Sequence, residues 1–263
     1  MSVATRVRTF FQQARDSLVL SGFAKTDGPM GKLVAGVGAL YLLVMIVLAI
    51  WWSAAPTAFD MTTKTQDYSA TSGQPLVPGS ATTLALIEVI DTLLEKDGGY
   101  THNDLLPPGL FIDNMPNWEY GVLVQSRDLA RALREVLSRS QSQSREDVDL
   151  TLAEPRINFQ SDSWILPASE REYRSANKYL KAYLARLPEK GPEGARFYAR
   201  ADNLGFWLGM IEKRLGSLSQ RLSASVGQRR LNTDLAGDPT ASAATIDPEE
   251  QEIKTPWSEI DDV

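Results

Sequence analysis

The sequence predicts a mostly α-helical protein, with one N-terminal transmembrane helix followed by a helical-bundle-like extramembrane domain. Three observations predict it. The uncharged apolar run Leu33–Trp52 has the length of a helix that crosses a bilayer. Four later stretches repeat apolar residues at steps of three and four, the signature of amphipathic helices. Segments rich in Pro, Gly and Ser separate those stretches.

The chain begins with an arm, residues 1–32, that carries Arg6, Arg8, Arg15, Lys25 and Lys32 against Asp16 and Asp27. Phe10, Phe11, Ala14, Leu18 and Val19 would fall on one side of a short helix lying on anionic lipid. The apolar run over 33–52 closes with Trp51 and Trp52, where an aromatic belt sits at a membrane interface. Asp60, Lys64 and Asp67 follow it with no excess of positive charge. The positive-inside rule then places the arm in the cytoplasm and the rest across the membrane, in the periplasm of a bacterium with two membranes. The run exceeds the apolar core of a signal peptide, and Pro56 makes a poor context for cleavage after Ser53-Ala54-Ala55. Gly31, Ala35 and Ala39 lie four apart on one face, which could let a second helix approach closely in lipid.

Residues 53–80 hold Pro, Gly, Ser and Thr with little periodicity and read as a linker. A domain is expected over 81–236. Its first helix begins near Ser80 or Thr82, buries Leu86, Ile87, Ile90, Leu93 and Leu94, and ends at Gly98-Gly99. The loop from Thr101 to Asn117 is full of breakers, yet Leu105, Leu106, Leu110, Phe111, Ile112 and Met115 are expected to pack onto the helices. A second helix runs from about Asn117 to Ser140, with Val122, Leu129, Leu133, Val136 and Leu137 on one side. Near 156–166, INF and WIL around SDS suggest a small β-hairpin or an extended connector. A third helix covers Ala168 to Leu187, stopped by Pro188. A fourth covers about Gly194 to Arg229, and its seam of Leu204, Trp207, Leu208, Ile211, Leu215, Leu218, Leu222 and Val226 is expected to be core. Residues 237–263 form an acidic tail, expected to be disordered, in which Trp257 and Ile260 look suited to docking.

Composition narrows the chemistry. The absence of cysteine excludes disulfides, cysteine zinc sites and cysteine nucleophiles. The one histidine, His102, excludes multi-histidine metal sites, and no metal site or cofactor is expected. The net charge of −6, with no basic patch interleaved with aromatics, argues against a nucleic-acid partner. No phosphate-binding glycine loop, nucleophile elbow or H-E-x-x-H motif is present. Asp113 and Glu119 flank Pro116-Asn117-Trp118 and are the one acid pair that could serve a glycan hydrolase. Trp118 and Tyr120 could then stack on sugar rings, whereas Glu119 in a helix first turn is equally explained by the helix dipole.

Five stretches carry a family resemblance: DNMPNWEYGVLVQSRDLARALR (Asp113–Arg134), SRSQSQSREDVDLTLAEP (Ser138–Pro155), FYARADNL (Phe197–Leu204), RLGSLSQRLSASVGQRRLNTDLAGD (Arg214–Asp238) and the final KTPWSEIDDV. In these the chain resembles an uncharacterised proteobacterial family, the domain-of-unknown-function 2333 family. The resemblance implies a membrane anchor and a helical domain, and it implies no reaction, ligand or catalytic residue. It also implies a further helical segment after the position of Val263, so the chain reads as a shortened member or a fragment that would expose an apolar strip on its longest helix or on the surface where the tail docks.

The reading that results is a single-pass inner-membrane protein with a periplasmic helical domain, a non-enzymatic scaffold or partner-binding module. The glycan hydrolase is the alternative. Expected partners are the lipid bilayer, an envelope protein and a second copy of the chain. Trp118, Tyr120 and Trp257 are the candidate contact residues.

Overall fold

The computed structural model describes residues 29–140, 145–225, 229–231 and 252–254. Among these it is mostly helical. Seven α-helices follow in order: α1 (Pro29–Trp52), α2 (Met61–Ser72), α3 (Ser80–Glu95), α4 (Asn114–Ala132), α5 (Val148–Ile157), α6 (Ser169–Arg186) and α7 (Ala201–Ser225). A short antiparallel pair joins Arg229–Leu231 to Glu252–Lys254. The chain divides into two units, one holding residues 45–214 and the other the remaining described residues.

α1 is a single 24-residue helix with no acidic residue in its first turn and no basic residue in its last. Met30–Trp52 is long and apolar enough to cross a membrane, and none of it is buried inside the protein. Gly31, Ala35 and Ala39 lie on this helix, and Ala35 and Ala39 are exposed.

In the larger unit α3, α4, α5 and α6 close a four-helix bundle. α3 packs on α4 and α6, and α5 packs on the same two helices. The ring is explained by where the apolar side chains fall. Leu86, Ile87, Ile90 and Leu93 of α3, Leu123 of α4, Leu150 and Ile157 of α5, and Tyr173, Leu180, Tyr183 and Leu184 of α6 are all essentially excluded from solvent. Buried positions step by three and four along the helices, as Met115, Glu119, Leu123, Ser126 and Ala130 do on α4 and Leu150, Ala153 and Ile157 on α5, so each helix turns one stripe inward. α4 runs on into a π turn, Leu133–Leu137, in which Ser138 N–H reaches back to the Leu133 carbonyl. The following segment satisfies carbonyls that this turn frees. Asn203 donates its side-chain amide to Val136, and Tyr198 N–H donates to Leu137.

Several expectations change here. Residues 61–72, within the stretch read as linker, form α2, with Asp60 as N-cap and Gly73 closing the helix in a left-handed conformation. Met61 and Tyr68 pack against the core. The β-hairpin near 156–166 does not form, and residues 158–168 are the irregular connector that was its alternative. Before it Asp147 caps a helix, accepting from the N–H groups of Asp149 and Leu150, and Leu150, Ala153 and Ile157 bury one stripe that carries the helix through Pro155. The seam on α7 is not core. Leu204, Leu208, Leu215, Leu218 and Leu222 are exposed, because the four bundle helices already close the interior without it. Trp207 alone of that seam packs on the bundle core. The arm, the QSQS stretch over 141–144, Val226 and most of the tail, Trp257 and Ile260 included, lie outside the described residues.

Candidate functional site

Two places in the bundle unit hold Trp118, Glu119 and Tyr120. One is the loop end. Lys96 ends α3, and its ammonium lies 2.7 Å from a carboxylate oxygen of Glu119 on α4. Both side chains are almost wholly buried, at 2% and 0% exposed. Glu119 also accepts from Thr101 N–H, the Thr101 hydroxyl and His102 N–H, at 2.7–3.0 Å. Lys96 donates to the Gly99 carbonyl as well. A buried ion pair is tolerated only with such a full set of partners. The pair therefore pins the breaker loop to the start of α4.

His102 has its Nδ1 3.1 Å from the Pro116 carbonyl, so Nδ1 carries the hydrogen, and its ring stacks on Tyr120 at 5.6 Å. Tyr100 meets Tyr173 edge-on at 5.6 Å and donates to the Ser161 carbonyl. Burial raises its phenol well above the ordinary range, which keeps it a neutral donor. The Asp104 carboxyl is also held above its usual value, chiefly by burial and then by the nearby Glu119 and Glu170 charges, with Lys96 opposing. Asp113 is exposed at the N-cap of α4, with no side-chain capping bond. The acid pair thus consists of one exposed carboxylate and one sealed inside the protein. Glu119, with both oxygens engaged, holds a loop rather than a proton in transit.

The other place is a groove between α3 and α4. It encloses about 520 Å³ and is lined by Ala85, Leu86 and Val89 of α3, Trp118, Val122 and Leu129 of α4, and Trp207 of α7. That volume is in the range of ligand-sized pockets. Ser126 borders it but spends its hydroxyl on the Val122 carbonyl. Gly121 leaves the wall open, since a Cβ there would meet nothing within 4 Å. The groove is therefore almost purely apolar, without convergent polar groups to orient a reacting substrate. Beside it α7 exposes Leu204, Phe206 and Leu208.

Of the residues singled out from the sequence, Trp118 lines this groove, whereas Tyr120 lies against His102. Among the described residues no group of His, Asp and Glu side chains is arranged to hold a metal ion. Trp207 was read as core and Lys96 not singled out. Only the packing reveals their roles.

The family model described as "Uncharacterized protein conserved in bacteria (DUF2333)" matches residues 26–263. The chain belongs to that family. No curated protein and no solved structure matches it.

Proposed function

We propose that this family member is a single-pass inner-membrane protein whose helical bundle lies in the periplasm and acts as a non-enzymatic binding module for another envelope protein. The observation that carries this reading is the apolar groove at Trp118 and Trp207, beside which Leu204 and Leu208 of α7 are exposed. Hydrophobic surface left outside a complete core marks an interaction site. The partner's chemistry follows from the surface. Leu204, Leu208 and Ile211 are spaced four and three apart beside the groove, the pattern that receives an amphipathic helix. The excess of Arg and Lys before α1 supports an arm in the cytoplasm and a bundle outside.

Site-specific photocrosslinking in living cells tests this. A photoreactive residue at Gln125, on the groove wall, is expected to give one discrete adduct. Gly121→Leu, whose Cβ would meet nothing within 4 Å and whose side chain would occupy the groove, is expected to abolish it. An adduct of twice the chain's mass would identify the partner as a second copy. No adduct at Gln125, or one unaffected by Gly121→Leu, would overturn the reading.

A further inference from the structure

The bundle has two distinct ends, and one of them is apolar where loops should be polar. The α3–α4 loop and the α5–α6 loop meet at that end. Asn103 donates to the Ser163 carbonyl at 2.9 Å, and Tyr100 donates to that of Ser161. The side chains that extend from this junction are Leu105, Leu106 and Phe111 from one loop and Trp164, Ile165 and Leu166 from the other. They are between 52% and 82% exposed. Six large apolar side chains on two adjoining loops are not the scattered exposure usual for soluble surfaces.

The same end is where α1 arrives. Met45–Trp52, its last two turns, belong to the same unit as the loops. The Trp52 ring sits against Gly98, where a Cβ would come within 2.7 Å of it, and Gly98 holds a φ of +83° that suits glycine. Asn114 donates to the Ser53 carbonyl at 3.2 Å. The apolar helix thus enters the bundle unit beside the loops.

The loops are also held firmly. Ser169 donates from its hydroxyl to the Gln160 carbonyl and accepts from Ser163 N–H, while the Ser163 hydroxyl donates to the Pro167 carbonyl. Leu166 is fixed at a φ of +46°, which leucine rarely adopts, with its side chain 82% exposed. A frame so pinned displays its apolar tips in place.

We propose that the tips of these two loops dock into the interfacial layer of the bilayer that α1 enters, seating the bundle on the membrane surface. The inference rests on the reading of α1 as a membrane anchor. Irregular backbone cannot enter the hydrocarbon core, so the tips go no deeper than the headgroup and upper acyl region, where Trp is favoured. The two loops carry Asp97, Asp104, Asp113 and Asp162 in sequence, without a balancing cluster of Lys or Arg. Apolar burial, not attraction to anionic headgroups, drives the contact.

Because the chain has no cysteine, single cysteines at positions 47, 106, 165 and 190 can each carry an environment-sensitive fluorophore in the full-length protein. The protein is reconstituted in phosphatidylcholine nanodiscs with and without a quencher on the acyl chains. Position 47 lies in α1, 106 and 165 in the loop tips, and 190 at the opposite end of the bundle, just past α6. The expected result is loss of most of the signal at 47, 106 and 165 and none at 190. Probes at 106 and 165 as bright as at 190, with 47 quenched, would overturn the docking and leave the anchor standing. So would probes at 106 and 165 that are shielded from water yet unquenched, since protein rather than lipid would then cover them. An unquenched probe at 47 would overturn anchor and docking together.

Discussion

At the scale of single residues, the Lys96–Glu119 pair makes the strongest demand on the structure. A buried charge that loses its partner costs about 3–5 kcal/mol, more than most substitutions. Glu119→Gln leaves the ammonium of Lys96 without its counter-charge, and Lys96→Met strands the carboxylate. Each is expected to lower stability by about that amount in chemical denaturation, and the double variant by less than their sum. Single losses below about half a kcal/mol, the range of surface changes, would show that the pair is solvated. Asp104 makes a second prediction. Its carboxyl is raised above the ordinary 3.8, so the folded state holds the proton more tightly than the unfolded chain does. Stability therefore falls as pH rises from about 3.8 through the folded value, and the full penalty remains at neutral pH. Asp104→Asn is expected to raise the melting temperature at pH 7 and to lose that advantage below about pH 4, near the ordinary carboxyl value. No gain at pH 7 would contradict it. Little of this was legible in the sequence. Glu119 looked like a first-turn acid because Pro116-Asn117 looked like a helix start. α4 in fact begins at Asn114, which moves Glu119 into the second turn and inside the protein.

At the scale of elements, the bundle helices and α7 are expected to respond oppositely to the same change. Leu180 is fully buried at the centre of α6, so Leu180→Ala should cost about 2–5 kcal/mol. Leu208 is half exposed on α7, and Leu208→Ala should stay within about half a kcal/mol. Equal costs at the two positions would return α7 to the core. The sequence read both helices correctly as helices, because periodicity of three and four reports a helix whatever covers its stripe. It cannot report whether the covering surface belongs to the same chain. α5 was missed for another reason. Pro155 and the short span of ten residues outweighed the Asp147 cap and the Leu150, Ala153, Ile157 stripe. α2 was missed because its polar sequence buries no residue fully, though Asp60 and Gly73 mark both its ends.

At the scale of the whole molecule, an apolar N-terminal helix, an apolar loop end and an apolar groove each leave hydrophobic surface outside the core among the described residues. The apolar helix itself was plain in the sequence, since its length and lack of charge set the run apart from the rest of the chain. The loop end was not. Leu105, Leu106 and Phe111 were expected to pack inward with Ile112 and Met115, and only the last two do so. A loop does not have the periodicity that sorts the buried residues of a helix from the exposed ones.

The central claim is that α1 holds the bundle on the side of the membrane opposite the N-terminal arm. A cysteine-free chain allows a direct measurement with single cysteines at Ser21 and Lys190. Intact cells with a permeabilised outer membrane are treated with a membrane-impermeant maleimide. The account predicts labelling at 190 without lysis and at 21 only after it. Labelling at 21 in intact cells, or at 190 only after lysis, would contradict the account.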